Sequence, residues 1–281
     1  EGAIIRCQMC TAMADFDSVV EYMGEVIAIG ERLGSKDHRA LGLDHVASSL
    51  MFLTRFDEAW LKAQEALQLA REIGDREHEA WLLSTTMPVC LFRQGQFDSA
   101  RSALAEGLEI AARIHSSAAL IYGNYILAEM ARWQGDYEQA LMYGLRSLEV
   151  ALPLEPYMPF MTVQPLGSLG SIYLEISEHF TDAISQFHLH ALRLLETPAG
   201  MSGGGTAWAD LGFCALALGD LDTAEASFQK GLNVPTLFIR LERSRHLAGM
   251  GLIALSRGRP DEALELVQEA QAYADERQMQ H

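Results

Sequence analysis

The hydrophobic positions of this chain recur in a short phrase that returns about every forty residues. The phrase is a large hydrophobic residue, usually followed by an acid, with a small residue at its fourth position. Seven copies occur, and they begin at Phe16, Phe56, Phe97, Tyr137, Phe180, Leu221 and Pro260. Their fourth residues are separated by 39 to 43 positions, so the repeats fill all 281 residues. A period of this length predicts a stack of similar units and leaves no room for a second fold.

Each unit is predicted to form two helices. After the phrase, apolar and small residues recur at helical spacing, as in Ala59, Ala63, Ala66, Leu67 and Ala70. A glycine precedes four of the phrases and would supply the left-handed residue that ends one helix before the next begins: Gly95, Gly135, Gly219 and Gly258. No run of alternating apolar and polar residues suggests a strand. The pattern therefore predicts an all-α fold of about seven helix pairs, with units near 1–36, 37–75, 76–116, 117–156, 157–203, 204–235 and 236–281.

The sixth unit carries the most specific signature. It contains Trp208, the pair Leu211–Gly212, then Gly219-Asp220-Leu221, Ala224, Phe228 and Pro235. This pattern resembles the tetratricopeptide repeat, in which a Trp, a Leu-Gly pair, a small residue and a Phe recur at these spacings. The resemblance is strong in the last three units and weak in the first. It implies a single right-handed α-solenoid over residues 1–281.

The period of about 41 residues is longer than the 34 residues usual for this repeat, so we expect longer helices. The residue pattern of the repeats is similar to that of the long tetratricopeptide repeats of bacterial regulators of the maltose-activator (STAND) type and of cyclase sensor tails. This similarity implies a domain excised from a larger bacterial protein whose output domain lies elsewhere. The amino end, Glu1-Gly2-Ala3, has no initiator Met and fits the same expectation.

Charge and composition exclude several classes of partner. Acids outnumber bases by 38 to 21, which gives a net charge of -17, so direct nucleic-acid binding is not expected. No apolar stretch approaches the ~20 residues that cross a bilayer, so no membrane contact is expected. Four cysteines in a chain of this length do not make a disulfide framework. Together these features predict a cytoplasmic protein.

Residues suited to catalysis, cofactors or metals are few. Cys7 and Cys10 are spaced as Cys-x-x-Cys, but no second pair completes a zinc site. The glycine run at 203–205 lacks the Lys of a phosphate loop and is interpreted as a connection between units. His188 and His190 are two apart on a helix and face different directions. We therefore expect no enzymatic activity, no cofactor and no metal.

In tetratricopeptide repeats the first helix of each pair lines a concave surface where peptides or proteins bind. The register carried over from the repeat phrase predicts these binding residues: Phe92, Arg93, Tyr122, Tyr125, Glu129, Arg132, Trp133, Gln164 and Arg245. The same register places Ser168, Glu175, Asp210 and Phe213 on that surface. The stripe from Tyr122 to Arg132 combines two phenols with a charged pair, which would suit a peptide or a polar small molecule. Alternatively, the tyrosines pack against the neighbouring unit, and Glu129 and Arg132 form a solvated pair.

One basic window interrupts the acidic background. Between residues 236 and 259 a single acid accompanies five arginines, Arg240, Arg243, Arg245, Arg257 and Arg259, so the window carries a charge of +4. The window would dock an acidic partner or a neighbouring domain of the parent chain. Alternatively, it neutralises acidic helices beside it.

These observations favour a non-catalytic module that binds a protein or peptide segment in its groove, as a scaffold or regulatory domain in signal transduction or transcription regulation. The alternative is a ligand-sensing domain of a multidomain transcriptional or signalling ATPase or cyclase. In that case a small molecule or peptide would shift the solenoid between two curvatures.

Overall fold

The computed structural model describes residue 10 and residues 15–176, 187, 189–191, 193–194, 204–233 and 239–276. The helices within these residues are α1 Phe16–Leu33, α2 Lys36–Phe52, α3 Phe56–Ile73, α4 Arg76–Ser84, α5 Thr86–Arg93, α6 Phe97–Ile114, α7 Ser117–Trp133, α8 Tyr137–Ala151, α9 Phe160–Ile176, α10 Gly204–Ala217, α11 Leu221–Asn233, α12 Ile239–Ser256 and α13 Pro260–Glu276. A short 3-10 helix, Leu152–Leu154, follows α8. The described residues contain no strand, and the predicted all-α fold is confirmed.

The chain divides into two compact units, Glu1–Met130 and Ala131–His281. The first unit holds α1 to α6 and most of α7, and the second holds the end of α7 with α8 to α13. Within the units, consecutive helices pack as pairs: α2 on α3, α4 and α5 on α6, α10 on α11, and α12 on α13. The single superhelical domain expected from the repeats stays a prediction. In the described part of the chain, no helix has the length and apolarity needed to span a membrane.

The repeat phrase marks the start of the second helix of each pair. Helices α1, α3, α6, α8, α11 and α13 begin at the first residue of a phrase. The fourth residue of each of these phrases is buried: Val19, Ala59, Ala100, Ala140, Ala224 and Ala263. Small side chains at these positions let neighbouring helices approach closely. The fifth phrase, which begins at Phe180, lies outside the described residues.

The turns between paired helices have the predicted left-handed residue. Gly95, Gly135, Gly219 and Gly258 have φ angles between 72° and 78°. In the turn between α2 and α3, Thr54 occupies the corresponding position with a φ of 61°. A β-branched side chain is rarely found in this conformation, so the turn at Thr54 is strained.

The first helix of the third pair is broken into α4 and α5. Thr85 lies at the break with φ -132° and ψ -87°, and Pro88 follows in the first turn of α5. Proline has no N–H to give to the carbonyl four residues earlier, and its ring clashes with that carbonyl, so a continuous helix is disfavoured. The Thr85 hydroxyl donates to the carbonyl of Trp81 at 2.6 Å, so this carbonyl has a hydrogen-bond donor at the break.

Close helix packing in the sixth and seventh pairs depends on two glycines and one aromatic ring. Phe228 on α11 is fully buried. A Cβ atom on Gly212 of α10 or on Gly249 of α12 would overlap the Phe228 ring. The glycine of the Leu-Gly pair in the repeat signature is therefore required by packing. Gly204 and Gly205, interpreted from the sequence as part of a connection, instead lie in the first turn of α10.

Candidate functional site

Helix α9 carries a row of polar side chains through the interior of the second unit. Residues 162–172 of this helix are all buried. Gln164, Ser168, Ser171 and Glu175 follow one another at intervals of four, three and four, so they lie on one face of the helix. We call this row the α9 stripe. α9 packs on α8 and α10, whose apolar residues cover the other faces of the helix.

Alternating charges connect the α9 stripe to three other first helices. Arg132, at the end of α7, donates from Nη1 to Glu175 Oε1 at 2.5 Å. Arg245 on α12 donates from Nη2 to Asp210 Oδ1 on α10 at 2.7 Å. The positive charges of both arginines act on Asp210, and Ser171 also hydrogen-bonds to this carboxylate. We call Glu175, Arg132, Asp210 and Arg245 the charge ladder.

Asp210 is the most deeply buried member of the charge ladder, with 3% of its surface exposed. Burial disfavours its charged form, but the charges of Arg245 and Arg132 and the hydrogen bonds from Arg245 and Ser171 outweigh burial and hold its pKa below the ordinary value. The Arg245 guanidinium also lies over the Phe213 ring, 5.6 Å from its centroid. Asp210 is therefore ionised at neutral pH, and the charges of the ladder balance.

Gln164, at the other end of the α9 stripe, has unused hydrogen-bonding capacity. Its side chain is 3% exposed. Among the described residues, neither Nε2 nor Oε1 has a hydrogen-bond partner. A buried polar group without a partner costs about 1 to 3 kcal/mol. The amide offers a donor and an acceptor side by side, which matches a peptide bond or another amide.

The predicted site residues of the first unit are largely packed against its interior. Tyr122 places its ring edge on Trp81, with centroids 5.6 Å apart, and burial raises its pKa to about 12. Tyr125 packs against the cluster that contains Leu91 and Leu104. Phe92 contacts Phe97 edge to face, with centroids 5.5 Å apart. This arrangement matches the alternative in which the tyrosines pack against a neighbouring helix pair.

The remaining predicted residues differ in exposure. Arg93 and Glu129 are half-buried in the first unit. Trp133 belongs to the second unit and is 54% exposed. Of the nine predicted residues, Arg132 and Arg245 both act on Asp210 through their charges, and Gln164 lies on the same α9 stripe as Glu175 and Ser171. The repeat register predicts Glu175 and Asp210 in the groove but does not predict Ser171 there.

The arginines of the basic window pair with acids on neighbouring helices. Arg245 binds α10 through Asp210, and the other pairs are Arg243 with Glu269, Arg257 with Asp222 and Glu225, and Arg259 with Glu262, at 2.6 to 3.0 Å. The side chain of Arg240 lies outside the described residues. The window therefore neutralises acidic helices beside it, which is the second of the two interpretations from sequence.

Metal-ligating residues are not clustered in the part of the chain that the structure describes. No group of three or more His, Cys, Asp or Glu side chains there is arranged to hold an ion. Cys7 and His188 lie outside the described residues. His190 contacts Glu155 at 2.9 Å, and the thiols of Cys90 and Cys214 are buried, which raises their pKa and makes them poor nucleophiles.

Comparison with known proteins identifies the fold. Residues 205–234 match the tetratricopeptide repeat family model. No curated protein sequence gives a significant match. A Rap protein solved in complex with competence and sporulation factor is similar with a TM-score of 0.75 and 14% identity, over 97% of this chain and 74% of that one. The apo form of RapI is similar with a TM-score of 0.71 and 10% identity, over 98% of both chains.

A third similar structure is BtubC from P. vanneervenii, with a TM-score of 0.60 and 18% identity, over 78% of this chain and 90% of that one. Together with the family match, these likenesses confirm the resemblance to tetratricopeptide repeat proteins and the fold class of repeated helix pairs. The assignment to a long-repeat variant stays a prediction. Folds of this kind are typical of protein-interaction scaffolds and are typically non-catalytic.

Proposed function

We propose that this chain is a non-catalytic module that binds a protein or peptide segment against the first helices of its second unit. It would act in the cytoplasm as a scaffold or regulatory domain of a larger bacterial protein, in signal transduction or transcription regulation. The observation that carries the proposal is the buried Gln164 amide, which has no hydrogen-bond partner among the described residues. The similar Rap protein solved with competence and sporulation factor supports a binding role for this fold.

The chemistry of the α9 stripe suits an extended peptide. A peptide backbone presents an N–H and a carbonyl at every residue, so one residue would accept from Gln164 Nε2 and donate to Oε1 once the side chains that bury this amide have moved aside. Gln164 and Ser171 are seven residues apart, which corresponds to roughly 10 Å along a helix. About three residues of extended chain cover that distance. A bound segment would therefore reach from Gln164 to the charge ladder.

The charge ladder would select the side chains of the bound segment. Arg245 is about one third exposed, so its guanidinium can contact solvent and Asp210 at the same time. A carboxylate of the partner that reaches the exposed part of Arg245 would share this guanidinium with Asp210. An acid of the partner that reaches no cation would be repelled by Asp210. We therefore expect bound peptides to be enriched in Asp or Glu about three residues from the position that meets Gln164.

The substitution Gln164→Leu tests the proposal. Peptides selected by the wild-type chain from a random displayed library should bind the variant at least tenfold more weakly, because the amide contacts are lost. The unfolding free energy of the free chain should rise by about 1 kcal/mol, since an unpartnered buried polar group is removed. Fluorescence anisotropy and urea denaturation measure the two effects.

Gln68→Leu is the matched control, because Gln68 is exposed on α3 and hydrogen-bonds to Glu72 on the same helix. This variant should leave peptide affinity unchanged. Selected peptides that bind Gln164→Leu as tightly as the wild type would exclude this site. A library that yields no binder to the folded wild-type chain would exclude the function.

A small molecule with an amide group is a second candidate, because the burial of Gln164 suits a ligand that is enclosed. Native mass spectrometry of the purified chain distinguishes this sensor function from peptide binding. A small bound mass that disappears in Gln164→Leu would support the ligand-sensing alternative. Wild-type and variant chains of equal, unliganded mass would argue against it.

A further inference from the structure

Four aliphatic side chains of the seventh helix pair are exposed to solvent, two on each of its helices. Leu252 and Leu255 on α12 are 49% and 58% exposed, and Leu264 and Val267 on α13 are 58% and 49% exposed. We call these four residues the end face. Exposed apolar groups that lie together mark interaction sites more often than isolated ones do.

The internal repeat explains what the end face corresponds to. The sixth and seventh pairs are related by an offset of 39, which aligns Gly212 with Gly251 and Ala224 with Ala263. The same offset relates the four residues of the end face to Phe213, Leu216, Glu225 and Phe228 of the preceding pair. In the preceding pair, these four residues contact α12 or the residue that follows it.

Contacts in the preceding pair, α10 and α11, show how α12 packs against it. Phe213, Leu216 and Phe228 pack in one cluster with Met250 and Ile253 of α12. Glu225 accepts a hydrogen bond from Arg257, just beyond the end of α12, at 2.7 Å. The end face therefore repeats a surface that elsewhere in the same unit is covered by a helix.

Helix α12 also defines the chemistry of the helix that would fit. It places Gly249 against the Phe228 ring, and Arg257 reaches Asp222 at 2.8 Å. Asp261, the counterpart of Asp222 under the same offset, is exposed on α13. α13 contains six acids and no base. A basic amphipathic helix would complement this surface, whereas two copies of α13 would repel each other.

We propose that the end face is a docking surface for a basic amphipathic helix of a partner protein, which packs on α13 as α12 packs on α11. The partner helix would carry a small residue opposite Val267, aliphatic residues beside it, and an Arg or Lys that pairs with Asp261. This surface is separate from Gln164, so the proposal does not depend on the peptide-binding function proposed above.

The probe for this proposal is a synthetic peptide with the sequence of residues 239–259, the segment that covers the equivalent surface of α11. Binding of the labelled peptide to the full chain is measured by fluorescence anisotropy. Leu264→Glu should weaken binding at least tenfold, because it places a charge within the apolar contact and adds to the acidity of α13. A peptide with Arg257→Glu should also bind more weakly, by about fivefold or more.

The matched control is Leu61→Glu, since Leu61 is also 58% exposed but lies on α3 in the other unit. It should leave the affinity unchanged. Leu252→Glu, on α12, provides a second variant if Leu264→Glu reduces the thermal stability of the chain. No binding to the wild type, or equal weakening by Leu61→Glu, would overturn the proposal.

Sedimentation velocity of the chain without peptide tests the competing occupant. The proposal expects the wild type and Leu264→Glu to sediment identically as one species. A wild-type dimer that Leu264→Glu dissociates would assign the end face to a second copy of this chain. That result would overturn the proposal that a partner protein binds there.

Discussion

Two buried aspartates on first helices, one in each unit, have pKa values shifted in opposite directions. Asp44 on α2 and Asp210 on α10 are 6% and 3% exposed. Burial raises the pKa of Asp44 to about 6, and the nearby charge of His78 offsets only part of this effect. The pKa of Asp210 is held below its ordinary value, because Arg245 and Arg132 outweigh the same penalty.

The two pKa values differ because the charged side chain beside each aspartate differs. Arg245 donates to Asp210 Oδ1 at 2.7 Å and is charged at every accessible pH. His78 Nε2 is 3.8 Å from Asp44 Oδ2, beyond hydrogen-bond range, and its Nδ1 contacts Asp75 Oδ2 at 2.7 Å. Asp44 Oδ1 has no hydrogen-bond partner among the described residues. Of these two buried aspartates, only the one that a guanidinium contacts directly has a pKa below its ordinary value, and it lies beside the α9 stripe.

The largest stability effect is expected for Asp210→Asn, which should lower the unfolding free energy by about 2 to 3 kcal/mol at pH 7. The amide cannot balance the Arg245 charge, and breaking a buried pair costs about 3 to 5 kcal/mol, reduced here because Arg245 is partly exposed. Because the folded pKa is depressed, the contribution of Asp210 is present above about pH 4 and is lost as the pH falls through the folded pKa. Urea denaturation between pH 3 and 8 measures it, and a loss below about 0.5 kcal/mol would contradict the charge ladder.

Asp44→Asn should have the opposite sign and raise the unfolding free energy by about 1 to 3 kcal/mol at pH 8. The folded pKa of Asp44 is raised to about 6. Ionised Asp44 therefore penalises the folded state increasingly between about pH 4 and 6, and fully above that range. The gain should vanish below about pH 3, where Asp44 is protonated in both states. Denaturation across this range checks it, with Asp37→Asn, exposed on the same helix, as the control.

The smallest effect is expected for Glu175→Gln, below about 1 kcal/mol at pH 7. Arg132 and Glu175 form a pair whose side chains are 14% and 37% exposed, so water screens much of the interaction. The same urea experiment measures the change, and added salt should reduce it further. A loss larger than that of Asp210→Asn would show that the ladder depends on its exposed end.

The sequence predicted the helical repeat because its signals are local. The phrase that begins at Phe97 or Leu221 starts a helix at that residue, and the preceding glycine has the required positive φ. The break between α4 and α5 was not predicted, although Pro88 is a signal for it. A proline also lies inside α9 at Pro165, and that helix is continuous. The local sequence therefore does not decide whether a proline interrupts a buried helix.

The candidate site was less predictable, because its contacts join residues on different helices. Register placed Gln164 and Arg245 on first helices, but the partners Asp210 and Glu175 lie 35 and 43 positions from Arg245 and Arg132. Helical spacing also grouped Tyr122 and Tyr125 with Arg132. It could not show that Tyr122 packs on Trp81, since that contact depends on how neighbouring pairs stack.

The arrangement of Phe228 between Gly212 and Gly249 has a consequence for how this protein can change over evolutionary time. Three residues from three helices share one volume, and none can gain atoms unless another loses them. A lineage that acquires a side chain at either glycine must first shrink the ring. A lineage that shrinks the ring gains space for substitutions at both glycines. The three positions are therefore expected to vary together among descendants of this sequence, even though Gly212 and Gly249 are 37 residues apart in the chain.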